Sequence, residues 1–206
     1  MSEQSPRLLT YGAAILISIS ALGTSWAGYQ STVWGGRQTS YGGQSMAMRT
    51  KSTRASTTAG QLRIVDVGLF TNWLNAYGRG DTLLASFYQK RFRAEFRPAF
   101  DKWIASHPLK SADAAPTPFG LPEYRLTQDD DATRLEIAAD SLANEASNSA
   151  HARDSYVLVA VILAMVMFFV DIGQHIKSVR LGVMLVSIGL LIWFAGVLRL
   201  IALPRV

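Results

Sequence analysis

The sequence predicts an all-α integral membrane protein with three transmembrane helices and a helical extramembrane domain on a long antiparallel helical stalk. The chain of 206 residues is 49% hydrophobic and only 17% charged, which is too apolar for an ordinary soluble domain. Apolar residues concentrate in segments 8–27, 156–172 and 181–203, each close to the roughly 20 residues that cross a bilayer core. Small side chains also recur every seven residues, as they do at close helix contacts.

These segments set the expected domain boundaries. We expect a first transmembrane helix in residues 1–30, a helical extramembrane stalk and domain in 31–155, and a two-helix transmembrane hairpin in 156–203. The first segment also fits a secretory signal peptide, since residues 25–27 resemble a cleavage site, but we interpret it as a membrane span. The chain has no cysteine, which excludes disulfides, thiolate metal sites and cysteine nucleophiles.

A stripe with seven-residue spacing, here called the first stripe, organises the first helix. It consists of the hydroxyl-bearing residues Tyr11, Ser18, Ser25, Thr32 and Thr39 and the small residues Ala14, Ala21, Gly28, Gly35 and Gly42. The two series alternate at spacings of three and four, so on a helix they form one face with coiled-coil geometry. Such a face lets a second helix approach closely in a membrane. We expect the helix to continue through its glycine pairs, because the stripe passes them without a change of phase.

Two further stripes of small residues follow. The alanine stripe is Ala139, Ala143, Ala146 and Ala150, and the glycine stripe is Gly182, Gly189 and Gly196. The alanine stripe lies on a helix that has no breaker from Ala132 to Gly173, and we expect it to pack antiparallel against the first stripe. Equal distances from the membrane would bring Met46 level with Ala139. Arg49, Lys51 and Arg54 would then face Glu136 and the acidic run 129–131.

The region between the two long helices is predicted to be helical with one loop. Residues 78–81 should end the first helix, and Asp81 suits the N-cap of the next one. A ridge of large side chains predicts that this next helix continues to about Trp103, and Pro98 should kink it around Asp101 or before it. Four prolines in residues 107–128 predict an extended loop, which we expect to pack through its apolar side chains Phe119, Leu121 and Tyr124.

Three ionisable residues are candidates for an ion path or an interface. Asp171 is the only carboxylate in a predicted span, and His175 lies one turn later on the same helix face, as a proton or cation relay requires. The alternative is that Asp171 lies at the membrane surface and is solvated. Arg199 can line a permeation path, or it can extend to the interface beside Asp154 or a lipid headgroup.

A basic cluster is the candidate contact for anionic lipid or an acidic partner. It consists of Lys90, Arg91, Arg93 and Arg97, and clustered cations can hold lipid headgroups. A solvated helix face explains the same residues without a partner. The net charge of +5 is consistent with cations that flank membrane spans, and no nucleic-acid-binding motif is present.

The function that these features predict is not enzymatic. The sequence contains no HExxH, GxSxG, P-loop or GxGxxG motif, and we expect no cofactor and no bound metal. We predict a membrane assembly, sensing or accessory subunit that forms a homo-oligomer through small-residue helix packing. Its partners would be membrane lipids, further copies of itself and another membrane protein. The alternative is a homo-oligomeric channel for an ion or small solute, in which the hydroxyls of the first stripe line a pore.

The segment Trp26-Ala27-Gly28-Tyr29-Gln30 resembles a group of uncharacterised bacterial membrane proteins. In that group a Trp-x-x-Tyr-Gln element follows an N-terminal span, and a helical insert returns to a C-terminal pair of spans. The resemblance implies the cytoplasmic membrane of a bacterium. Short basic loops favour the cytoplasm, and Arg7 shares a side with Lys177 and Arg180. The domain 31–155 is therefore expected outside the cytoplasm.

Overall fold

A computed structural model describes residues 4–108, 110–111 and 113–205, with side chains described from residue 10 onward. All regular secondary structure in these ranges is helical. The α-helices are α1 (Gln4–Gly78), α2 (Thr82–Gln89), α3 (Arg97–Ala105), α4 (Thr127–His175) and α5 (Val179–Ala202), and a short 3-10 helix covers Pro118–Gly120. The predicted all-helical class is therefore confirmed.

Helices α1, α4 and α5 are each long and apolar enough to cross a membrane. In α1 the apolar stretch lies near the N-terminus, whereas α4 becomes apolar only after its acidic first turn. The chain thus has three candidate membrane spans, as its hydropathy predicts.

The ends of α1 and α2 follow from local chemistry. Helix α1 continues through its glycine pairs without a break, as the spacing of the first stripe predicts. It ends in a Schellman motif, in which the Asp81 amide donates to the Ala76 carbonyl at 3.0 Å and Gly80 adopts a φ of 75° that favours glycine. The Asp81 carboxylate then accepts from the Leu84 amide at 2.9 Å, which confirms the predicted N-cap.

The prediction of one kinked helix from residue 82 to about residue 103 is wrong. Helix α2 ends at Gln89, and α3 begins at Arg97 with Pro98 in its first turn. Proline has no amide hydrogen and its ring collides with the carbonyl four residues earlier. It is therefore better accommodated at the start of a helix, where the amide has no helical partner.

The chain divides into two compact units, one formed by Met1–Gln44 with Ser141–Val206 and the other by Ser45–Asp140. This division reflects packing, whereas the predicted boundaries 1–30, 31–155 and 156–203 reflect hydropathy. We call the unit of Met1–Gln44 with Ser141–Val206 the bundle unit, and the unit of Ser45–Asp140 the inserted unit. Each has its own apolar core.

In the bundle unit, α1 packs antiparallel to α4, and α5 packs beside them. One core cluster joins Ala13 and Leu16 of α1 to Val166 and Val170 of α4. A second joins Ala27, further along α1, to residues of α4 nearer its start. These pairings run in opposite directions along the two helices, as expected from the antiparallel prediction.

The inserted unit is built around aromatic rings from α1, α2, α3 and the connecting segments. Its buried core is Phe70, Trp73, Ala76, Ala85, Phe92, Phe96, Phe100 and Trp103. The loop residues Phe119, Leu121 and Tyr124 pack against this core, as predicted. The Trp103 indole nitrogen donates to the Ala115 carbonyl at 2.7 Å, which ties the loop to α3.

Candidate functional site: the helix-packing surfaces

The contact between α1 and α4 uses a face of α1 that lies one residue before the predicted one. In the inserted unit the buried Ser45 hydroxyl donates to the Ala139 carbonyl at 2.8 Å, and Ser52 donates to Ala132 at 2.9 Å. The expected alignment of Met46 with Ala139 is therefore off by one residue. One residue turns a helix by about 100°, so a different side of α1 meets α4.

We call the face of α1 that is buried within the chain the inner stripe. Its buried members are Ala13, Ser20, Ala27, Ser45, Ser52, Ala59, Asp66 and Trp73.

 Five of these, Ser45, Ser52, Ala59, Asp66 and Trp73, follow one another at intervals of seven residues. This series, and not the first stripe, is the face of α1 that packs inside the chain.

Ion pairs accompany the contact in the inserted unit. The Arg49 guanidinium contacts Glu136 at 2.8 Å and Asp140 at 2.6 Å, and Arg63 contacts Asp129 at 2.6 Å. The predicted pairing of basic α1 residues with acidic α4 residues thus holds for Arg49. Lys51 and Arg54 form no ion pair within 4.0 Å among the described residues. All three pairs are partly exposed, so each contributes about 0 to 1 kcal/mol.

The first stripe is largely uncovered by the chain's own helices. Ser18, Ala21, Ser25 and Gly28 are exposed, while Gly35 and Gly42 are half-buried. A Cβ added at Gly28 or Gly42 would meet no atom within 4 Å, and one added at Gly35 would lie 3.5 Å from Arg153. The expectation that this stripe packs on the alanine stripe within one chain is therefore wrong. The reason is the one-residue offset of the inner stripe.

The glycine stripe is covered by the chain's own packing, and the alanine stripe is covered in part. Ala139 is buried, and Ala143, Ala146 and Ala150 are half-buried. Gly182, Gly189 and Gly196 are all buried in α5. A Cβ added at Gly189 would lie 2.8 Å from Val170, and one added at Gly196 would lie 3.1 Å from Ile162. Glycine lets α5 approach α4 closely at these positions.

A buried carboxylate that the sequence reasoning missed lies in the inserted unit. Asp66 is fully buried, and its Oδ2 accepts hydrogen bonds from Arg93 at 3.1 Å and from the Tyr124 hydroxyl at 3.0 Å. Burial raises the pKa of Asp66 above its ordinary value, although Tyr124 and Arg93 act in the opposite direction. Burial and the neighbouring carboxylate also raise the pKa of Tyr124. The sequence could have drawn attention to Asp66, because it is the one acidic residue in positions 10–78.

The basic cluster does not form one free surface. Arg93 turns inward to Asp66 and also pairs with Glu95. Arg97 donates to the backbone carbonyls of Phe92 and Lys90, each at 3.1 Å. The Arg91 guanidinium lies 3.4 Å from the centre of the Phe87 ring. Part of the cluster therefore holds the connection between α2 and α3.

Asp171 and His175 lie together at the end of α4. The His175 Nδ1 is 2.8 Å from the Asp171 carbonyl oxygen and 3.7 Å from its carboxylate. Their side chains are 65% and 78% exposed, so they are not enclosed in the bundle unit. Arg199 is exposed, and Asp154, its expected neighbour, pairs with Arg153 at 2.7 Å.

One polar residue of the Trp-x-x-Tyr-Gln element is enclosed in the bundle unit. Gln30 is fully buried, and neither its amide nitrogen nor its amide oxygen has a hydrogen-bond partner in the described part of the chain. A buried amide without partners is uncommon in proteins. Nothing in the spacing of the sequence singled out this side chain.

The described residues contain no group of three or more histidine, aspartate or glutamate side chains that could hold a metal ion. Comparison of the chain with protein-family models, with curated proteins and with solved structures yields no match.

Proposed function

We propose that this chain is a non-enzymatic membrane subunit that assembles with further copies of itself through small-residue helix faces. Its role would be that of a scaffold, a sensor or an accessory subunit for another membrane protein. We further propose that it resides in the cytoplasmic membrane of a bacterium with residues 31–155 outside the cytoplasm. The resemblance of the Trp-x-x-Tyr-Gln element and the basic turn near Lys177 support this location.

The observation that carries the proposal is the exposure of the first stripe in an apolar helix. Ser18, Ala21, Ser25 and Gly28 have small side chains and lie on the outside of the bundle unit. Lipid tails fill the grooves of a small-residue face poorly, whereas a second helix can approach its backbone closely and gain van der Waals contact. Self-association would cover this face.

The experiment measures the mass of the full chain in nanodiscs with a bulky substitution on each of two exposed faces. Ala21→Leu enlarges an exposed alanine on the first stripe, and Ala195→Leu enlarges an exposed alanine on α5. We expect the wild type and Ala195→Leu to contain more than one chain, and Ala21→Leu to shift toward one chain. A wild-type particle that contains a single chain at all concentrations would contradict the proposal.

The competing function is an oligomeric channel for an ion or small solute. The exposed hydroxyls of the first stripe favour it, because they would face a central axis if several copies surrounded one. Ser18 and Ser25 already donate to the carbonyl four residues earlier, each at 2.9 Å, which leaves only acceptor lone pairs for a permeating species. Flux measurements on proteoliposomes separate the two functions, since only a channel would release a trapped ion.

A further inference from the structure

A small cavity lies in the inserted unit between α2, the segment that follows it and α3. We call it the α2/α3 cavity. Its volume is about 340 Å³, at the low end of the roughly 300 to 1,000 Å³ of ligand-binding cavities. It is lined by the aromatic side chains of Phe92 and Phe100 and by five polar side chains. All of these residues belong to one compact unit, so the inserted unit by itself forms the cavity.

The two aromatic side chains of the cavity belong to the core of the unit. Phe92 and Phe100 are 3% and 1% exposed, and their ring centres lie 4.8 Å apart. Phe100 also packs edge-on against Trp73, with the ring centres 4.8 Å apart. Because this packing fixes both rings, the apolar side of the cavity has a defined shape. An apolar group of a ligand that covers it is removed from water, which favours binding.

Arg97 is held at the cavity by two backbone carbonyls. Its Nε donates to the carbonyl of Phe92 and its Nη2 to the carbonyl of Lys90, each at 3.1 Å. These hydrogen bonds fix the plane of the guanidinium group, while its Nη1 has no partner within the described residues. An arginine side chain always carries its positive charge in proteins. Arg97 therefore gives the cavity a positioned positive charge with a free donor group.

Asp101 lacks the ion pair that its spacing from Arg97 favours. The two residues are four positions apart on α3, where opposite charges ordinarily pair on a helix. Arg97 is bonded to the two carbonyls instead, and no cation of the described chain lies within 4.0 Å of the Asp101 carboxylate. Both side chains nevertheless line the same cavity. The cavity thus holds a positive and a negative group that do not pair with each other.

The remaining polar side chains of the cavity are free as well. Lys90 adds a second positive charge to the lining, and Ser86 and Gln89 add a hydroxyl and an amide. None of these three side chains forms a hydrogen bond or an ion pair with the part of the chain that the structure describes. Several other basic residues of the inserted unit do pair with carboxylates of the chain. The charges of the cavity are therefore available to a ligand.

We propose that the α2/α3 cavity binds a small zwitterion of the α-amino acid type. The carboxylate of the ligand contacts Lys90 and Arg97, its ammonium group contacts Asp101, and its apolar side chain covers the rings of Phe92 and Phe100. A ligand with only a negative charge would be repelled by Asp101, and one with only a positive charge by the two cations, whereas a zwitterion complements both. The inference goes beyond the self-assembly proposed above and does not depend on it.

The test measures the binding of radiolabelled L-phenylalanine to the full chain in nanodiscs by equilibrium dialysis. Two unlabelled analogues compete with it: phenethylamine, which lacks the carboxylate, and 3-phenylpropionate, which lacks the ammonium group. The cavity variants are Lys90→Gln and Asp101→Asn. Lys51→Gln and Asp130→Asn are matched controls, because they remove exposed charges of the same unit that do not line the cavity. Lys90→Arg and Asp101→Glu keep the charges and should retain binding, which separates loss of charge from loss of fold.

We expect saturable binding to the wild type and to both controls, and binding at least about tenfold weaker to Lys90→Gln and to Asp101→Asn, because hydrogen bonds between charged groups are the stronger ones. Each analogue should compete at least about tenfold less well than unlabelled L-phenylalanine. Competition by either analogue as strong as that by L-phenylalanine would overturn the ligand class. Equal binding to the cavity variants and the controls would overturn the location of the site. If the wild type shows no saturable binding up to millimolar concentrations, the inference fails and the proposed self-assembly stands.

Discussion

Gly182 of α5 lies directly against Gly173 of α4, so that a Cβ atom added at Gly182 would lie 2.7 Å from the Gly173 carbonyl oxygen. A backbone oxygen cannot move aside as the end of a flexible side chain can. The closest approach of α4 and α5 therefore depends on the absence of a side chain at this position.

Replacement of Gly182 by alanine is expected to destabilise the bundle unit by about 1 to 3 kcal/mol, the usual effect of overpacking. The measurement is the midpoint of unfolding by SDS, followed by tryptophan fluorescence. Gly12→Ala is the control, because a Cβ at Gly12 meets no atom within 4 Å. Equal midpoints for the two variants would contradict the close approach of α4 and α5.

Replacement of Phe96 by alanine is expected to destabilise the inserted unit by about 3 to 5 kcal/mol. Phe96 is fully buried, and its ring centre lies 4.9 Å from that of Phe92 and 5.1 Å from that of Phe119. Urea unfolding of the full chain measures the change. The matched control is Phe87→Ala, since Phe87 is 45% exposed. If Phe87→Ala lowered the free energy of unfolding as much as Phe96→Ala does, the burial of Phe96 in this core would be contradicted.

The buried carboxylate of Asp66 should make the inserted unit less stable as pH rises. Its pKa is raised in the folded chain, so between the unfolded and folded pKa values the folded state binds more protons. Stability then decreases with pH across that window. This contribution is fully present below the unfolded pKa, near 4, and is lost as pH rises through the folded pKa.

Asp66→Asn should remove this part of the pH dependence, because asparagine does not titrate and still offers an oxygen to Arg93 and Tyr124. Asp66→Ala should destabilise the unit by about 1 to 3 kcal/mol, since it leaves the half-buried Tyr124 hydroxyl without its acceptor while Arg93 keeps its pair with Glu95. Urea unfolding at several pH values compares the three proteins. If the free energy of unfolding of Asp66→Asn depended on pH as that of the wild type does, groups other than Asp66 would cause the dependence.

Loss of the Arg49 ion pairs should have a small effect. Arg49→Gln removes contacts with Glu136 and Asp140, yet these side chains are 44% and 61% exposed. We expect a loss of at most about 1 kcal/mol that becomes smaller at high salt. Unfolding at low and high ionic strength measures it, with Arg54→Gln as the control because Arg54 has no such pair within the described residues. A loss that is independent of salt would argue against an electrostatic origin.

The sequence predicts helices well where the evidence is local. The alternation of three and four residues, the N-cap at Asp81 and the break at Gly80 depend on neighbours within two turns, so the ends of α1 and α2 could be inferred. The effect of Pro98 was harder to predict, because a proline can kink a helix or begin one. In the structure Pro98 lies in the first turn of α3, and the preceding segment places Phe92 and Phe96 in the aromatic core.

The choice among helix faces could not be predicted in the same way. Helix α1 carries small or uncharged residues on several heptad faces, and one residue separates the first stripe from the inner stripe. The hydrogen bonds of Ser45 and Ser52 to α4 select the inner stripe. The inward position of Asp66 likewise depends on Arg93 and Tyr124, which are distant in sequence.

The sequence alone determined that this chain is helical, that three of its helices can cross a membrane, and that its small residues recur at helix-contact spacing. Helical periodicity and hydropathy are properties of each segment by itself, so they are present before any segment meets another. Only the tertiary structure decided which face of α1 is buried against α4 and which stays exposed. That decision depends on contacts between residues far apart in the chain, whose relative rotation no local spacing specifies.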